Sequence, residues 1–130
     1  MILEGTILIF DTRDNDSYVF TKDTKLNHPE KIPVAWNFEF NNLSLIVGTA
    51  EVRVSGNVLI ATITTTNPMF EQIMMDRTFI LCGGYFVRCK EHESDYGNGD
   101  LIIDDALLWG IGVSVEDIDH NLFCLTIKEE

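Results

Sequence analysis

Basic residues are scarce in this sequence, in which nine lysines and arginines stand against twenty-one aspartates and glutamates, for a formal net charge of −12. A surface this acidic repels phosphate groups, so the composition argues against nucleic-acid binding. No apolar run approaches the length that crosses a bilayer, so we expect no membrane partner. The opening MILEGTILIF is short, contains Glu4 and lacks a basic lead. It therefore predicts a first strand and not a signal peptide.

Cysteine is also sparse and irregularly placed. The three cysteines, Cys82, Cys89 and Cys124, form no C-x-x-C pair and no cysteine–histidine ligand spacing, so we expect no structural zinc site. Free thiols in apolar runs are typical of a reducing compartment. The loop ESDYGNGD lacks the one-three-five spacing and the distal glutamate of a calcium loop. The sequence therefore predicts neither a metal nor a cofactor.

Alternating apolar and polar residues run through most of the 130-residue chain, and this period is typical of β-strands. The length fits one domain over residues 1–130. The hairpin signal is strongest where Ser55, Gly56 and Asn57 separate two alternating arms, as a glycine turn does. Strands are expected over residues 2–10, 18–21, 34–40, 43–54, 58–65, 79–89, 101–115 and 121–127.

A change of period marks the one predicted helix. Asn67 fits an N-cap, Pro68 the first helical position and Glu71 the first turn, which together predict a short helix over about residues 68–77. A mainly β chain of this length with one short helix favours a small closed or partly open β-barrel. Glycines inside strands favour strong coiling, and five fall there, namely Gly48, Gly83, Gly84, Gly110 and Gly112.

Four stretches follow one another in a distinctive order: GTILIFDTRDNDSYVF, IPVAWNFEFNNLSLIVGTAEVRVSGNVLIATI, ILCGGYFV and DALLWGIGV, with the predicted helix before the third. This order resembles the prohead (capsid-maturation) proteases of tailed phages, relatives of the herpesvirus assembly proteases. The resemblance implies a small β-barrel of the prohead-protease type with an inserted helix. It aligns Phe38 with the family's catalytic histidine, Cys82 with its serine and Trp109 with its acid.

The aligned residues imply that the catalytic site has been lost. Serine-type hydrolysis needs a nucleophile, a base and a group that orients the base, and neither Phe38 nor Trp109 can act as one of the last two. We therefore expect a non-catalytic pseudoenzyme, a phage-encoded structural protein that acts in head assembly or binds the capsid. The implied partners are capsid or scaffold proteins and further copies of the chain. The implied location is the host cytoplasm during assembly, or the virion.

A binding groove is expected beside the former catalytic positions, where a substrate strand would lie. On a strand over residues 34–40, Trp36, Phe38 and Phe40 would share one face, so Trp36 and Phe40 are candidate binding residues. The remaining candidates lie on the former nucleophile strand and are Gly83, Gly84 and Tyr85.

Two other functions fit the sequence. A cysteine peptidase would use Cys82 as nucleophile with a thiol pKa lowered by a nearby histidine or cation, although free cysteine is also a common core residue. Of the adjacent Asp104 and Asp105, at most one can line such a site, because strand neighbours face opposite sides. A small-ligand-binding β-barrel would need a sizeable apolar cavity, which a filled catalytic site does not predict. The histidines lie in polar stretches, at His28, His92 and His120.

Overall fold

Strands dominate the computed structural model, which describes residues 1–76, 80–116 and 121–129. In chain order the elements are β1 (Ile2–Ile9), β2 (Tyr18–Asn27), β3 (Ile32–Trp36), a short 3-10 helix (Leu43–Leu45), β4 (Ile46–Ser55), β5 (Val58–Thr65), α1 (Pro68–Asp76), β6 (Leu81–Glu93), β7 (Leu101–Ser114) and β8 (Phe123–Glu129). Within the described ranges, no helix combines the length and the apolar character that a membrane crossing requires.

The strands close into a barrel through the pairing of β6 with β7. Seven strands follow one another in the order β7–β3–β4–β5–β1–β8–β6, and antiparallel pairing between β6 and β7 joins the two ends. β2 lies outside this ring and pairs in parallel with β7. The structure therefore confirms the predicted mainly β fold, a closed barrel with one short helix.

The β4–β5 hairpin forms where the sequence predicts it. Ser55 pairs with Val58, so Gly56 and Asn57 make a two-residue turn. Gly56 has a φ of +61°, a conformation that glycine adopts without steric cost.

The helix α1 also begins at the predicted cap. The side-chain oxygen of Asn67 accepts a hydrogen bond from the Phe70 N–H at 3.0 Å, which satisfies one of the free donors of the first turn. Phe70 and Met74 are buried, and the Phe70 ring lies edge-on to that of Trp36 with the centroids 5.8 Å apart. Burial of this one face anchors a helix too short to be stable alone.

The predicted strand over residues 34–40 is wrong in its second half. β3 ends at Trp36, and Asn37 and Phe38 have φ values of +52° and +62°, outside the range of a strand. The Asn37 N–H donates to the Val113 carbonyl at 2.8 Å and the chain then turns across β7. Trp36, Phe38 and Phe40 therefore do not share a strand face.

Other strand boundaries also differ from the prediction. Residues 43–45 form a 3-10 helix, because the Asn42 side chain accepts from the Ser44 N–H at 3.1 Å and caps that turn. β2 continues to Asn27 and β6 to Glu93, since each has β7 to pair with. The start of the predicted strand over residues 79–89 lies outside the described residues.

The barrel interior is a continuous apolar core. It is formed by inward-facing residues from both ends of the chain and by the helix face. Its fully buried members include Leu3, Ile32, Val34, Ala61, Ile63, Phe70, Ile80, Cys82, Ile103, Leu108, Ile111 and Val113.

Candidate functional site

Glycines of β6 and β7 form a flat floor on the outer side of the barrel. Gly83 pairs with Gly112, and Tyr85 pairs with Gly110. A methyl group on Gly112 would overlap the ring of Phe38, and one on Gly110 would overlap the ring of Phe40. Gly110 and Gly112 are therefore needed, because aromatic rings from the loop after β3 lie directly against the strands. The rings fill the space that side chains at these positions would otherwise occupy.

An aromatic cluster covers this floor. The ring centroids of Phe38 and Phe40 are 6.4 Å apart, and those of Phe40 and Tyr85 are 5.8 Å apart. Tyr85 remains 47% exposed. The cluster thus presents an apolar surface to solvent beside the strand that carries Cys82.

Trp109 lies at a bulge on the same outer side. Tyr85 pairs with Gly110 and the next residue of β6, Phe86, pairs with Leu108, so Trp109 is the extra residue of β7 at this point. Its side chain is 52% exposed. Leu108 and Ile111, by contrast, are completely buried in the core.

Cys82 faces the opposite way, into the barrel. It is completely buried, and its Sγ lies 3.6 Å from the Thr6 carbonyl oxygen. Burial, and to a smaller extent the nearby Cys124, raises the pKa of the Cys82 thiol to about 12, because a thiolate is poorly solvated in an apolar interior. The thiol is therefore protonated at neutral pH, a state that disfavours nucleophilic attack.

The three aligned catalytic positions do not converge. Cys82 lies inside the barrel, whereas the ring of Phe38 lies over Gly83 and Gly112 on the outer side and Trp109 faces solvent. This separation follows from the pleat, since Cys82 and Gly83 are neighbours on one strand.

The predicted binding residues are divided between the two sides of the barrel wall. Phe40, Gly83 and Tyr85 meet in the outer aromatic cluster. Trp36 pairs with buried Val113 and packs against the core, so its ring contributes to the interior. A side chain at Gly84 would likewise meet Phe86 and Leu108.

Neither described histidine approaches Cys82. His28 is exposed and bonds to the Pro29 carbonyl at 2.9 Å. His92 lies ten residues further along β6 than Cys82 and contacts Asp104 at 2.7 Å. Asp105 instead accepts from the Asn27 side chain at 3.1 Å, as expected because the side chains of neighbouring strand residues point to opposite faces. His120 lies outside the described residues.

A slot opens between β1 and β6, and no sequence pattern predicted it. β8 pairs with residues 2–5 of β1 but with only Leu81 and Cys82 of β6. Beyond these positions no strand of the described chain pairs with both, although Asn121, Leu122 and Phe123 also line the opening between them. The opening, which we call the β1–β6 slot, has a volume of about 650 Å³. The expectation that a filled catalytic site leaves no sizeable cavity is therefore wrong.

The β1–β6 slot has an apolar base and a polar mouth. Ile7, Phe20 and Phe86 line the base, and the mouth is formed by the β1–β2 turn, Tyr18 and Arg88. The Arg88 guanidinium lies 3.8 Å from the centre of the Tyr18 ring. The length of β1 and β6 that borders the slot depends on the residue at which β8 begins. Sequence periodicity alone does not reveal that residue.

Comparison of the chain with family models, with curated proteins and with solved structures gives no match. The resemblance to prohead proteases therefore rests on the order of four sequence motifs and stays a prediction. Within the described residues, no group of three or more histidine, cysteine or acidic side chains is arranged to hold a metal ion.

Proposed function

We propose that this chain is a non-catalytic, phage-encoded protein of head assembly or of the capsid, which uses an inactivated barrel to bind other proteins. The observation that carries this proposal is the outward aromatic cluster of Phe38, Phe40 and Tyr85 beside a buried, protonated Cys82. The region to which the resemblance assigns the catalytic residues instead has an apolar contact surface. The phage role itself comes from the motif order.

The exposed part of this surface has the composition of a protein interface. Tyr85, Val87 and Trp109 are 47%, 42% and 52% exposed, and all three lie on the adjacent strands β6 and β7. Aromatic side chains held on rigid strands are typical anchors at protein–protein contacts. A capsid or scaffold protein is the partner class that the resemblance supplies.

The test is co-purification of the tagged chain with the major capsid and scaffold proteins encoded by neighbouring genes. We expect a stable complex that the double substitution Tyr85→Ala/Trp109→Ala weakens by about tenfold or more, because buried aromatic anchors dominate such interfaces. The matched control is Leu43→Ala/Met69→Ala, which removes two exposed apolar side chains elsewhere. Neighbouring genes without head proteins, or equal loss in both double variants, would overturn the proposal.

A second candidate function is small-ligand binding, and the β1–β6 slot is the observation that favours it. Its volume of about 650 Å³ lies within the usual range of ligand pockets. The third candidate, a cysteine peptidase acting through Cys82, gains no comparable support, because its thiol is buried and its pKa is raised.

A further inference from the structure

We propose that Asn98 is a site of spontaneous deamidation, and that its conversion to aspartate or isoaspartate loosens the β6–β7 loop (residues 94–100) from the β1–β2 turn (residues 10–17). The site is independent of the proposed binding role and of a phage origin. Three features carry it: the glycine after Asn98, the hydrogen bonds of the Asn98 side chain, and the place of Asp100 in the fold.

Asn98 is the one asparagine of the sequence that is followed by glycine. Deamidation begins when the backbone nitrogen of the next residue attacks the side-chain carbonyl carbon of asparagine. A side chain on that next residue hinders the attack, and glycine has none. Asn98 and Gly99 are both exposed. Apart from its chain neighbours, no atom lies within 4 Å of the place where a Cβ of Gly99 would stand, so water and base reach the pair.

The conformation of the loop requires both residues of this pair. Gly99 has a φ of +82°, at which an L side chain is strained. The Asn98 Nδ2 donates to the Asp100 Oδ2 at 3.1 Å, and the Asn98 Oδ1 accepts from the Asp100 N–H, also at 3.1 Å. Aspartate at position 98 could accept but not donate. The residues that form this turn are therefore also the residues that react.

The reaction needs only water and the groups of the loop. The Gly99 nitrogen forms a bond to the Asn98 Cγ and gives up its proton, the Cγ–Nδ2 bond breaks, and ammonia leaves a cyclic succinimide. Negative charge that develops on Oδ1 during the attack is stabilised by the Asp100 N–H that already donates to this atom. Water then opens the ring at either carbonyl. One product is aspartate, and the other is isoaspartate, in which the main chain runs through the former side-chain carboxyl.

The product carboxylate would act on Asp100, which is only 9% exposed. The Arg13 Nε lies 3.0 Å from the Asp100 Oδ1, but this oxygen accepts no hydrogen bond within the described residues. The Asn98 amide supplies a hydrogen bond to the other oxygen. Deamidation removes that donor and places a second carboxylate against the first. The lost hydrogen bond and the like charge both destabilise this arrangement.

Asp100 also connects the loop to the β1–β2 turn. The Ser94 N–H donates to the Asp100 carbonyl at 2.9 Å, and the Leu101 N–H donates to the Ser17 carbonyl at 2.9 Å. The Arg13 side chain, which pairs with Asp100, also donates to the Ser17 hydroxyl at 2.8 Å. Displacement of Asp100 therefore weakens the contact between loop and turn. The conversion is a slow, one-way switch, because the ammonia that leaves is not recovered.

The experiment incubates the full chain for days in mildly alkaline buffer, in which the attacking amide loses its proton more readily. Peptide mapping by mass spectrometry, with an isoaspartate assay, measures conversion at each asparagine. We expect conversion at Asn98 at least about tenfold faster than at Asn57, for which a barrier lower by about 1.4 kcal/mol suffices. Asn57 is the internal control, because it is also exposed in a turn but precedes Val58.

Two variants at position 98 separate the reaction from its effect. Asn98→Gln keeps an amide but disfavours ring closure, because the ring would need one more atom, so ammonia release from this position should stop. Asn98→Asp carries the charge of the product from the start. In it, hydrogen exchange of the Ser94 and Leu101 amides should be about fivefold to tenfold faster, as expected for the loss of one hydrogen bond. Asn57→Asp adds the same charge in the other turn and should leave both amides unchanged.

Three outcomes would overturn the inference. Conversion at Asn98 that is no faster than at Asn57 would exclude the site. Unchanged exchange of the Ser94 and Leu101 amides in Asn98→Asp, or an equal effect of Asn57→Asp, would exclude the loosening of the loop. In the unsubstituted protein these two amides should exchange faster with age. The same drift in Asn98→Gln would show that deamidation of Asn98 does not cause it.

Discussion

The direction of single side chains decides the chemistry of this barrel. Cys82 attracts attention in the sequence because it stands where the prohead proteases that the motif order resembles have a serine. The ring of Phe38 lies over the neighbouring Gly83 on the outer side of the barrel. The Cys82 side chain therefore points inward, and it is completely buried. The burial agrees with the alternative that Cys82 is a core residue. Sequence could not decide between the two, since residues 81–87, on both faces of the first half of β6, are all apolar or glycine.

Burial of Cys82 predicts a loss of stability at alkaline pH. Its thiol pKa is raised from 9.0 to about 12 in the folded protein. Below about pH 9 both states keep the proton, and the contribution is fully present. Between about pH 9 and about 12 only the unfolded chain releases the proton, so the free energy of unfolding falls by up to about 1.4 kcal/mol per pH unit. Urea denaturation at several pH values measures this slope.

The matched variants are Cys82→Ala and Cys89→Ala. The first should reduce the alkaline slope, and the second should leave it unchanged, because Cys89 is exposed. Iodoacetamide at neutral pH should label Cys89 and Cys124 in the native protein and Cys82 only after unfolding. Rapid selective labelling of native Cys82 would contradict the buried thiol and revive the peptidase hypothesis.

At the scale of elements, the sequence specifies those whose signals are local. The β4–β5 turn and the N-cap of α1 form as predicted because each depends on residues within one turn. The segment after β3 does not, since its alternating aromatic residues fit a strand equally well. Phe38 and Phe40 alternate because they contact Gly112 and Gly110 of a distant strand. That contact is long-range, and single-sequence periodicity contains no information about it.

The contact between this loop and β7 predicts a strong coupling between Gly112 and Phe38. Gly112→Ala should cost about 1–3 kcal/mol of unfolding free energy, because the added methyl group overlaps the Phe38 ring. In a Phe38→Ala background the same change should be neutral or stabilising by about 0.5–1 kcal/mol, as for alanine in place of a strand glycine. A double-mutant cycle by urea denaturation measures the difference.

The backbone conformation of Gly112 makes this cycle interpretable. Its φ is not among the positive values of the described chain, so alanine introduces no backbone strain there. Gly56→Ala, at a φ of +61° with open space around it, supplies the opposite control. It should destabilise the protein equally with or without Phe38. An equal cost of Gly112→Ala in both backgrounds would show that the Phe38 ring is not the reason why position 112 requires glycine.

For the whole molecule, the architecture was accessible from sequence and the β1–β6 slot was not. Strand periodicity and one capped helix led to a closed barrel, because these patterns reflect which residues are buried. The slot arises from the short pairing of β8 with β6, at Leu81 and Cys82 alone. Where a strand stops pairing depends on the tertiary path of both neighbours. Periodicity therefore cannot locate this opening.

Net charge leads to a prediction for the folded molecule as a whole. With −12 on 130 residues, compaction brings like charges together, and salt screens their repulsion. Raising NaCl from about 20 to about 500 mM should therefore increase the free energy of unfolding by about 1 kcal/mol, measured by urea denaturation. The triple variant Asp23→Asn/Glu30→Gln/Glu51→Gln removes three exposed charges and should reduce the salt effect. If salt instead destabilises the protein, local ion pairs outweigh the net repulsion.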